Sequence, residues 1–285
     1  MRPKNLKTKI FLDSGDPSET KETLKLLGFL DGQTTNPSLI SKNPEVIERL
    51  GSEKKFSKDE INVFYKEVVC EISSLIPQGS ISIEVYADDE TTEQQMLDQA
   101  KMMNKWIRNA HIKLPANIEG LKAANIATKL GIRVNMTLCF IEAQSAAVYS
   151  ATKDGQNVYI SPFVGRIDDA GENGMQYVEN TIRLYKKGDR HVKVLAASIR
   201  TLDHLLQSFK LKVDIVTAPL KVYKEWVEMD MNIPDDSYIY PKGKLKDISF
   251  RDYDLEASFG SFTIDNPLLK VGLIKFAQDW NKLVE

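Results

Sequence analysis

The chain has 285 residues, of which 42% are hydrophobic and 27% charged, which is enough apolar material for one large α/β barrel or two average domains. Its formal net charge of -2 gives no global field that would attract nucleic acid or an anionic membrane. No apolar run approaches the roughly 20 residues that span a bilayer, and the basic N-terminus lacks the apolar core of a signal peptide. We expect Cys70 and Cys139 to be reduced thiols in a cytoplasmic protein, and the three histidines lack zinc-ligand spacing.

Short β-rich runs alternate with longer helical patterns along most of the chain. The predicted strands are residues 9–13, 32–36, 80–86, 111–114, 132–138, 157–163, 192–198 and 213–217. Such alternation predicts a parallel sheet with right-handed crossovers, and eight units match a closed (β/α)8 TIM barrel of about 250 residues. An open, doubly wound sheet is the alternative, although no G-x-G-x-x-G turn follows the first strand.

The alternation ends after the eighth predicted strand. Residues 229–258 are polar, aromatic and interrupted by prolines, which indicates a long irregular connection. Residues 266–284 carry apolar side chains at helical spacing, which predicts an additional C-terminal helix on the barrel wall or on a neighbouring subunit. We therefore expect residues 1–285 to form a single barrel domain, and the helix could also serve a homo-oligomer.

Polar side chains stand at the carboxyl ends of the predicted strands, where barrel enzymes place their chemistry. Barrel strands are covered on both faces and should be apolar, so these exceptions need a reason. The set comprises Asp13, Asn36, Glu84, Lys113, Asn135, Thr137, Ser161, Ser198 and Arg200, with Arg166 in the loop after the sixth strand. Packing alone does not predict such a ring.

Lys113 lies between apolar neighbours in the fourth predicted strand, HIKLP. A low dielectric disfavours the charged form of an amine, and a free amine can attack a carbonyl to form an imine. The alternatives are a structural ion pair and a lysine that reaches outward to solvent. Together with the other strand-end residues, Lys113 is the strongest candidate for a nucleophile.

Three further residues are candidates for proton transfer. Asp13 could exchange a proton with a reacting hydroxyl, or it could cap the helix predicted to begin at Pro17. Glu84 and Thr137 could hold a water while an imine forms and hydrolyses. The alternatives are a buried ion pair between Glu84 and a lysine, Lys113 included, and simple β-propensity for Thr137.

A phosphate site is indicated after the sixth and seventh strands. Guanidinium groups bind phosphate bidentately, and late barrel loops often form phosphate sites. Arg166 and Arg200 have this placement, together with Ser198 and nearby loop amides. The alternative is a pair of ordinary surface arginines.

These motifs resemble the transaldolase family over roughly residues 9–226 and again near 272–280. The matching segments are FLDSGD, DGQTTNPSLI, SIEVYA, IKLPAN followed by EGLKA, IRVNMTLCF, ISPFVGRIDD and LAASIRT. They occur in order and in register with seven predicted strands, which makes the resemblance specific.

The resemblance implies an imine-forming enzyme that needs no metal or organic cofactor, with Lys113 as its nucleophile. Asp13 would be the acid/base for carbon–carbon bond cleavage and formation, and Glu84 and Thr137 would serve the imine steps through a water. Substrate binding would fall to Asn36, Asn135, Ser161, Phe163, Arg166, Ser198 and Arg200. Of these, Arg166, Ser198 and Arg200 would hold the substrate phosphate.

The implied reaction moves a dihydroxyacetone unit from sedoheptulose 7-phosphate to glyceraldehyde 3-phosphate, giving erythrose 4-phosphate and fructose 6-phosphate in the pentose phosphate pathway. A fructose 6-phosphate aldolase-type lyase, which releases free dihydroxyacetone, is the alternative. Such lyases tend to carry tyrosine and glutamine where this chain has Phe163 and Glu84, so both residues favour transfer. A sugar-phosphate-binding protein without catalysis and a metal-dependent aldolase are further alternatives.

Overall fold

The structure is a computed structural model that describes residues 2–285. Eight parallel strands close into a barrel in sequence order, which confirms the predicted TIM barrel and excludes the open sheet. The strands are β1 (Lys9–Asp13), β2 (Gly32–Thr34), β3 (Ser80–Glu84), β4 (Ala110–Pro115), β5 (Val134–Cys139), β6 (Val158–Pro162), β7 (Val192–Ala196) and β8 (Ile215–Ala218).

Helices follow the strands and surround the barrel. They are α1 (Pro17–Leu27), α2 (Pro37–Ile40), α3 (Pro44–Gly51), α4 (Lys58–Leu75), α5 (Glu93–Met103), α6 (Ile118–Lys129), α7 (Glu142–Ala151), α8 (Val164–Asp169), α9 (Gly174–Tyr185), α10 (Leu202–Lys210), α11 (Leu220–Glu228) and α12 (Pro267–Asn281). Among the described residues, no helix is long and apolar enough to cross a membrane.

The boundaries of α1 follow from its local sequence. Asp16 accepts a hydrogen bond from the Ser18 amide and so caps the helix, while Pro17 supplies a backbone angle suited to the first turn. Gly28 ends the helix with φ of 76°, a conformation that glycine adopts without steric cost. The capping residue is therefore Asp16, and Asp13 at the end of β1 is left for another role.

Burial explains why the strands read as apolar runs. Every residue of β4, β5 and β6 is buried, because side chains on one face fill the barrel and those on the other pack under helices. The helix layer adds large buried rings such as Trp226 of α11 and Phe209 of α10, whose centroids lie 5.1 Å apart.

The connection between α11 and α12 is irregular, as predicted for residues 229–258, and holds a 3-10 turn at Phe259–Ser261. Its backbone is fixed to the helix layer by side chains of two helices. Asn180 of α9 donates to the Ile248 carbonyl (3.0 Å), and Ser150 of α7 donates to the Ala257 carbonyl (2.6 Å). These bonds satisfy backbone groups that have no partner in a regular element.

The C-terminal helix α12 lies at the barrel mouth, so the predicted position on the barrel wall is wrong. It packs against α2 and the end of β5, and Asp279 accepts a hydrogen bond from Ser38. Gly272 lies so close to Arg166 and Leu138 that an added Cβ would be 2.6 Å from the arginine Nη1. The helix therefore covers the ends of the strands where the polar side chains stand.

Candidate active site

A cavity of about 260 Å³ opens at the carboxyl end of the barrel. Its walls combine strand ends, the loops that follow them and α12. The lining residues are Asp13, Thr34, Asn36, Ser38, Leu39, Lys42, Lys113, Ser161, Phe163, Arg166, Ala197, Ser198, Thr217, Lys275, Phe276 and Asp279. A larger cavity of about 420 Å³, between α4, α5 and the end of α12, reaches Glu84 and is not lined by Lys113.

Lys113 and Glu84 form a buried pair across β3 and β4. The two residues are directly opposite in the parallel register, so their side chains enter the barrel side by side. The Lys113 Nζ lies 2.7 Å from Glu84 Oε2, and each side chain is 4% exposed. Lys113 also donates to the Thr35 carbonyl at 3.1 Å. The lysine therefore does not reach outward to solvent. It pairs with Glu84, as in the alternative given for that residue in the sequence analysis.

Asp13 is the third ionisable side chain at this end of the barrel, and it is partly buried. Its Oδ1 accepts a hydrogen bond from the Thr34 hydroxyl (2.6 Å), which lies 2.7 Å from the Thr217 hydroxyl. Burial raises the pKa of the Asp13 carboxyl above its usual value, against the opposing charge of Lys113. Burial likewise raises the pKa of Glu84, again opposed by Lys113. Both carboxyls are thus better proton acceptors than exposed ones.

Two buried oxygens, one at the end of β3 and one in β5, have unused hydrogen-bonding capacity. Among the described residues, neither Glu84 Oε2 nor Thr137 Oγ1 has a hydrogen-bond partner of good geometry, although Glu84 Oε2 is within ion-pair distance of Lys113. Buried polar atoms are seldom left unpaired. Each oxygen can therefore bind a small polar molecule such as water, and a water shared by Glu84 and Thr137 stays a prediction.

The floor of the barrel carries a chain of neutral polar groups. Asn135 donates to the Ser82 hydroxyl (3.0 Å) and accepts from the Ser161 hydroxyl (2.7 Å), which fixes the orientation of its amide. Asn36 caps α2 by accepting from the Leu39 amide (2.9 Å) and still faces the cavity. These residues can position hydroxyl groups without adding charge.

Arg166 lies between two aromatic rings on one wall. Its guanidinium carbon is 5.1 Å from the Phe163 ring centroid and 5.0 Å from that of Phe276. Burial lowers the pKa of the guanidinium, which nevertheless stays cationic at neutral pH. A planar cation held in this way is suited to bidentate binding of phosphate.

Ser198 also lines the cavity, whereas the Arg200 side chain does not. The backbone of Ser198 has φ of 56°, a left-handed conformation that is unusual for serine and often marks a functional site. Arg200 is exposed and forms an ion pair with Asp169 (2.6 Å). Seven of the predicted residues line this cavity, namely Asp13, Asn36, Lys113, Ser161, Phe163, Arg166 and Ser198. Glu84 and Asn135 contact lining residues, whereas Thr137 and Arg200 do not line it.

Several residues of the cavity were missed by the sequence analysis. Thr34 and Thr217 read as ordinary strand residues, and only their place at strand ends could have singled them out. Lys275, Phe276 and Asp279 lie on α12, and nothing local in the sequence indicates that this helix covers the mouth. Lys275 is 2.5 Å from Asp279, one helical turn away.

Comparison with known proteins agrees with this geometry. Residues 10–285 match the model of the family described as transaldolase/fructose-6-phosphate aldolase. The chain belongs to this family. The transaldolase/fructose-6-phosphate aldolase family unites transferases and lyases by name, so membership indicates an enzyme and leaves the choice between the two to the residues of the site.

Individual relatives extend the comparison. The chain is 37% identical to a probable transaldolase of Dehalococcoides mccartyi over 220 residues, 77% of this chain and 90% of the relative. It is 38% identical to a probable transaldolase of Brucella ovis over 220 residues, 77% of this chain and 89% of the relative. Among solved structures, 3-hexulose-6-phosphate synthase from Salmonella typhimurium is similar in fold alone, with a TM-score of 0.50 and 9% identity over 79% of this chain and 99% of that one.

Proposed function

We propose that this protein is a transaldolase that transfers a dihydroxyacetone unit between sugar phosphates through an imine on Lys113. The observation that carries the proposal is the buried Lys113 ammonium, 2.7 Å from Glu84, at the floor of a cavity that opens at the carboxyl end of the barrel. A buried amine beside a carboxylate that can accept its proton is what imine chemistry needs.

Imine formation begins with the transfer of a proton from Lys113 to Glu84. The free amine then attacks the ketone carbon of sedoheptulose 7-phosphate or fructose 6-phosphate, and the carbinolamine loses its hydroxyl as water. A water held between Glu84 and Thr137, whose oxygens have unused capacity, carries protons to and from the leaving oxygen. The same groups run in reverse when the imine hydrolyses.

Carbon–carbon cleavage uses the iminium as an electron sink. Asp13 accepts the proton of the substrate hydroxyl, the bond electrons move into the iminium, and an aldose phosphate leaves while an enamine remains on Lys113. An acceptor such as glyceraldehyde 3-phosphate then reacts with the enamine, and Asp13 returns the proton to the new hydroxyl. The raised pKa of Asp13 makes its carboxylate a better proton acceptor than an exposed one.

Substrate orientation falls to the neutral and cationic residues. Asn36, Asn135 and Ser161 are placed to bind the hydroxyls near the reacting carbons. Arg166 and Ser198 would hold the phosphate, and Arg200 would join them by exchanging its contact with Asp169 for the phosphate oxygens.

The proposal is tested by trapping the imine. Borohydride added to the protein with fructose 6-phosphate should leave a stable adduct, and peptide mapping by mass spectrometry should find it on Lys113. The Lys113→Ala variant should form no adduct, whereas Lys42→Met, which removes another lysine of the cavity, should keep it. An alanine variant with full activity, or an adduct on a different lysine, would refute the mechanism.

A lyase that releases free dihydroxyacetone is the second candidate, because the family includes fructose 6-phosphate aldolases. The phenylalanine at position 163 favours transfer, since its ring cannot donate a proton to the enamine. A coupled assay for dihydroxyacetone without an acceptor distinguishes the two. Rapid release under these conditions would favour the lyase.

We also propose a cytoplasmic enzyme of the pentose phosphate pathway. The two free cysteines fit a reducing compartment, with Cys139 buried and Cys70 partly buried. Complementation of a transaldolase-deficient cell would test the pathway, and fractionation would test the location.

A further inference from the structure

Tyr65 of α4 is a buried hydroxyl that no step of the proposed reaction uses. Its ring is fully buried, and its oxygen lies at the junction of β2 and β3, beside both partners of Lys113. The Glu84 amide donates to this oxygen at 3.0 Å, and the Thr35 hydroxyl lies 2.6 Å from it.

The directions of these hydrogen bonds follow from the donors. The Thr35 hydroxyl donates its single proton to the Ser82 carbonyl at 2.8 Å. Its oxygen must therefore accept from the Tyr65 hydroxyl, whose own oxygen accepts from the Glu84 amide. The tyrosine thus joins the two strand ends by one donated and one accepted bond.

The hydrogen-bond ladder between the parallel strands β2 and β3 shows which bond the Tyr65 hydroxyl replaces. Thr34 is opposite Ser82, and the Thr35 amide donates to the Ser82 carbonyl at 3.0 Å. The next bond of a regular parallel ladder would run from the Glu84 amide to the Thr35 carbonyl. Here the Glu84 amide donates to Tyr65 instead, and the Thr35 carbonyl accepts from Lys113 at 3.1 Å.

We propose that Tyr65 is a positioning residue for the nucleophile: its hydroxyl takes the place of a ladder carbonyl and so leaves the Thr35 carbonyl for the nitrogen of Lys113. This inference rests on the proposed function. When the ammonium gives its proton to Glu84, the amine keeps the bond to Thr35, which holds the nitrogen in place during the attack on the ketone. Tyr65 does not touch the substrate.

The ring of Tyr65 is held from two sides. Its centroid is 5.8 Å from that of Trp106, beyond α5, and 5.7 Å from that of Trp280 on α12. Removing the hydroxyl alone should therefore leave the ring in position. The Tyr65→Phe variant is thus a clean test, because it deletes one oxygen and keeps the packing.

In Tyr65→Phe the Glu84 amide is expected to turn to the Thr35 carbonyl and complete the ladder, which removes an acceptor from Lys113. The rate constant for imine formation, measured by borohydride quenching in a single turnover with fructose 6-phosphate, should fall about 10- to 100-fold, as expected when a reacting group is misplaced. KM should change little, because the phosphate site is untouched. Tyr185→Phe is the control. It also deletes a buried tyrosine hydroxyl, one that donates to the Ser145 carbonyl, and should leave the rate constant unchanged.

The rate constant is expressed per trappable site, which separates positioning from stability. A purely structural role would lower the amount of trappable protein and leave the rate constant of each site at the wild-type value, and that result would overturn the inference. If Tyr65→Phe does not fold, Thr35→Val decides. It keeps the Thr35 carbonyl and removes the acceptor that orients the Tyr65 hydroxyl, so this hydroxyl should hold the Glu84 amide less well. Imine formation should therefore also slow, and a wild-type rate would again overturn the inference.

Failure of the proposed function has a different signature. If the wild-type protein forms no adduct with fructose 6-phosphate, the transaldolase proposal fails and the positioning inference fails with it. If the wild type forms the adduct and Tyr65→Phe forms it equally fast, or Thr35→Val does so where Tyr65→Phe does not fold, only the role of Tyr65 is wrong.

Discussion

Three ionisable side chains lie together at the barrel mouth, of which Glu84 and Lys113 are buried and Asp13 is partly buried. Burying a charge costs free energy that hydrogen bonds and partners only partly recover. The protein therefore carries a local destabilisation at this cavity, and such clusters of ionisable groups with shifted pKa values are typical of active sites. A substitution that removes one of these charges should therefore lower the activity without lowering the stability.

Asp13→Asn should strongly lower turnover and raise the thermal midpoint at pH 7. Burial raises the folded pKa of Asp13 above that of the unfolded chain, so the ionised carboxylate lowers stability at pH values above the folded pKa. This penalty disappears as the pH falls through the folded pKa. The variant should unfold a few degrees higher at pH 7, at about 2–4 °C per kcal/mol, and the difference should shrink toward pH 4.

The activity of Asp13→Asn should fall about 100-fold or more, the usual contribution of a general acid/base. Asp16→Asn is the matched control, because asparagine can still cap α1 through its side-chain oxygen. Thermal unfolding followed by circular dichroism at two pH values checks the stability. A lower midpoint for Asp13→Asn at pH 7 would contradict the expected sign.

Phe163→Tyr should shift the enzyme from transfer toward release of dihydroxyacetone. Phe163 lines the cavity and its ring is 5.7 Å from that of Phe140, so a hydroxyl on it adds a proton donor to the wall. General acids contribute about 10²–10⁴-fold, so the ratio of free dihydroxyacetone to transferred product should rise clearly. Phe140→Tyr, which modifies the neighbouring ring outside the cavity lining, is the control. An unchanged ratio in Phe163→Tyr would remove the argument for transfer from this residue.

At the scale of elements, the site depends on how closely the loops after β6 and β7 approach each other. Gly165 in α8 donates its amide to the Ser198 carbonyl at 3.0 Å. A Cβ at this position would lie 2.5 Å from Arg200 Nε and 2.6 Å from the Ser198 carbonyl oxygen. Because one of these atoms belongs to the backbone, a larger residue must displace the loop.

Gly165→Ala should therefore weaken phosphate binding. Loss of a hydrogen bond to a charged group costs about 1.5–3 kcal/mol, so KM for the sugar phosphate should rise about 10- to 100-fold with a smaller change in kcat. Gly51→Ala is the control, since a Cβ there meets no atom within 4 Å. Steady-state kinetics with fructose 6-phosphate and a phosphate-free ketose compare the two. An equal rise in KM for both ketoses would show that the phosphate is not the group affected.

Most of the elements could be predicted from the sequence, because each is governed by local periodicity and capping. The first strand has the predicted limits, Lys9–Asp13. The second strand is shorter than predicted and ends at Thr34, because Asn36 already serves as the cap of α2. Residues at strand ends, such as Lys113 and Glu84, could be assigned to one site because all parallel strands of a barrel end at the same face.

At the scale of the whole molecule, α12 brings the end of the chain to the residues of the barrel mouth. Phe276 packs on Arg166, and Trp280 packs on Tyr65. This arrangement could not be predicted, because the apolar face of a helix indicates burial and does not identify the surface that covers it. The expectations of a single domain and of a homo-oligomer stay predictions.

Phe276→Leu should raise KM for the sugar phosphate, because it removes the aromatic ring beside the Arg166 guanidinium and keeps an apolar side chain at the cavity. A cation–π contact contributes about 0.5–2 kcal/mol, which corresponds to a change of about 2- to 30-fold. Phe262→Leu, which modifies a ring packed on Tyr253 away from the cavity, should leave KM unchanged. Kinetics for both variants, with thermal unfolding as a check on folding, test this expectation. Equal KM values in the two variants would mean that Phe276 does not support the guanidinium.

The place of α12 in the chain has a consequence for biosynthesis. All eight strands leave the ribosome before α12 is translated, so the barrel can close while its catalytic end is still open to water. A chain that stops before Pro267 would keep Lys113 but lack Lys275, Phe276 and Asp279. Synthesis therefore delays assembly of the complete pocket until translation has passed the final helix, and a chain truncated before that helix should lack the activity of the full protein.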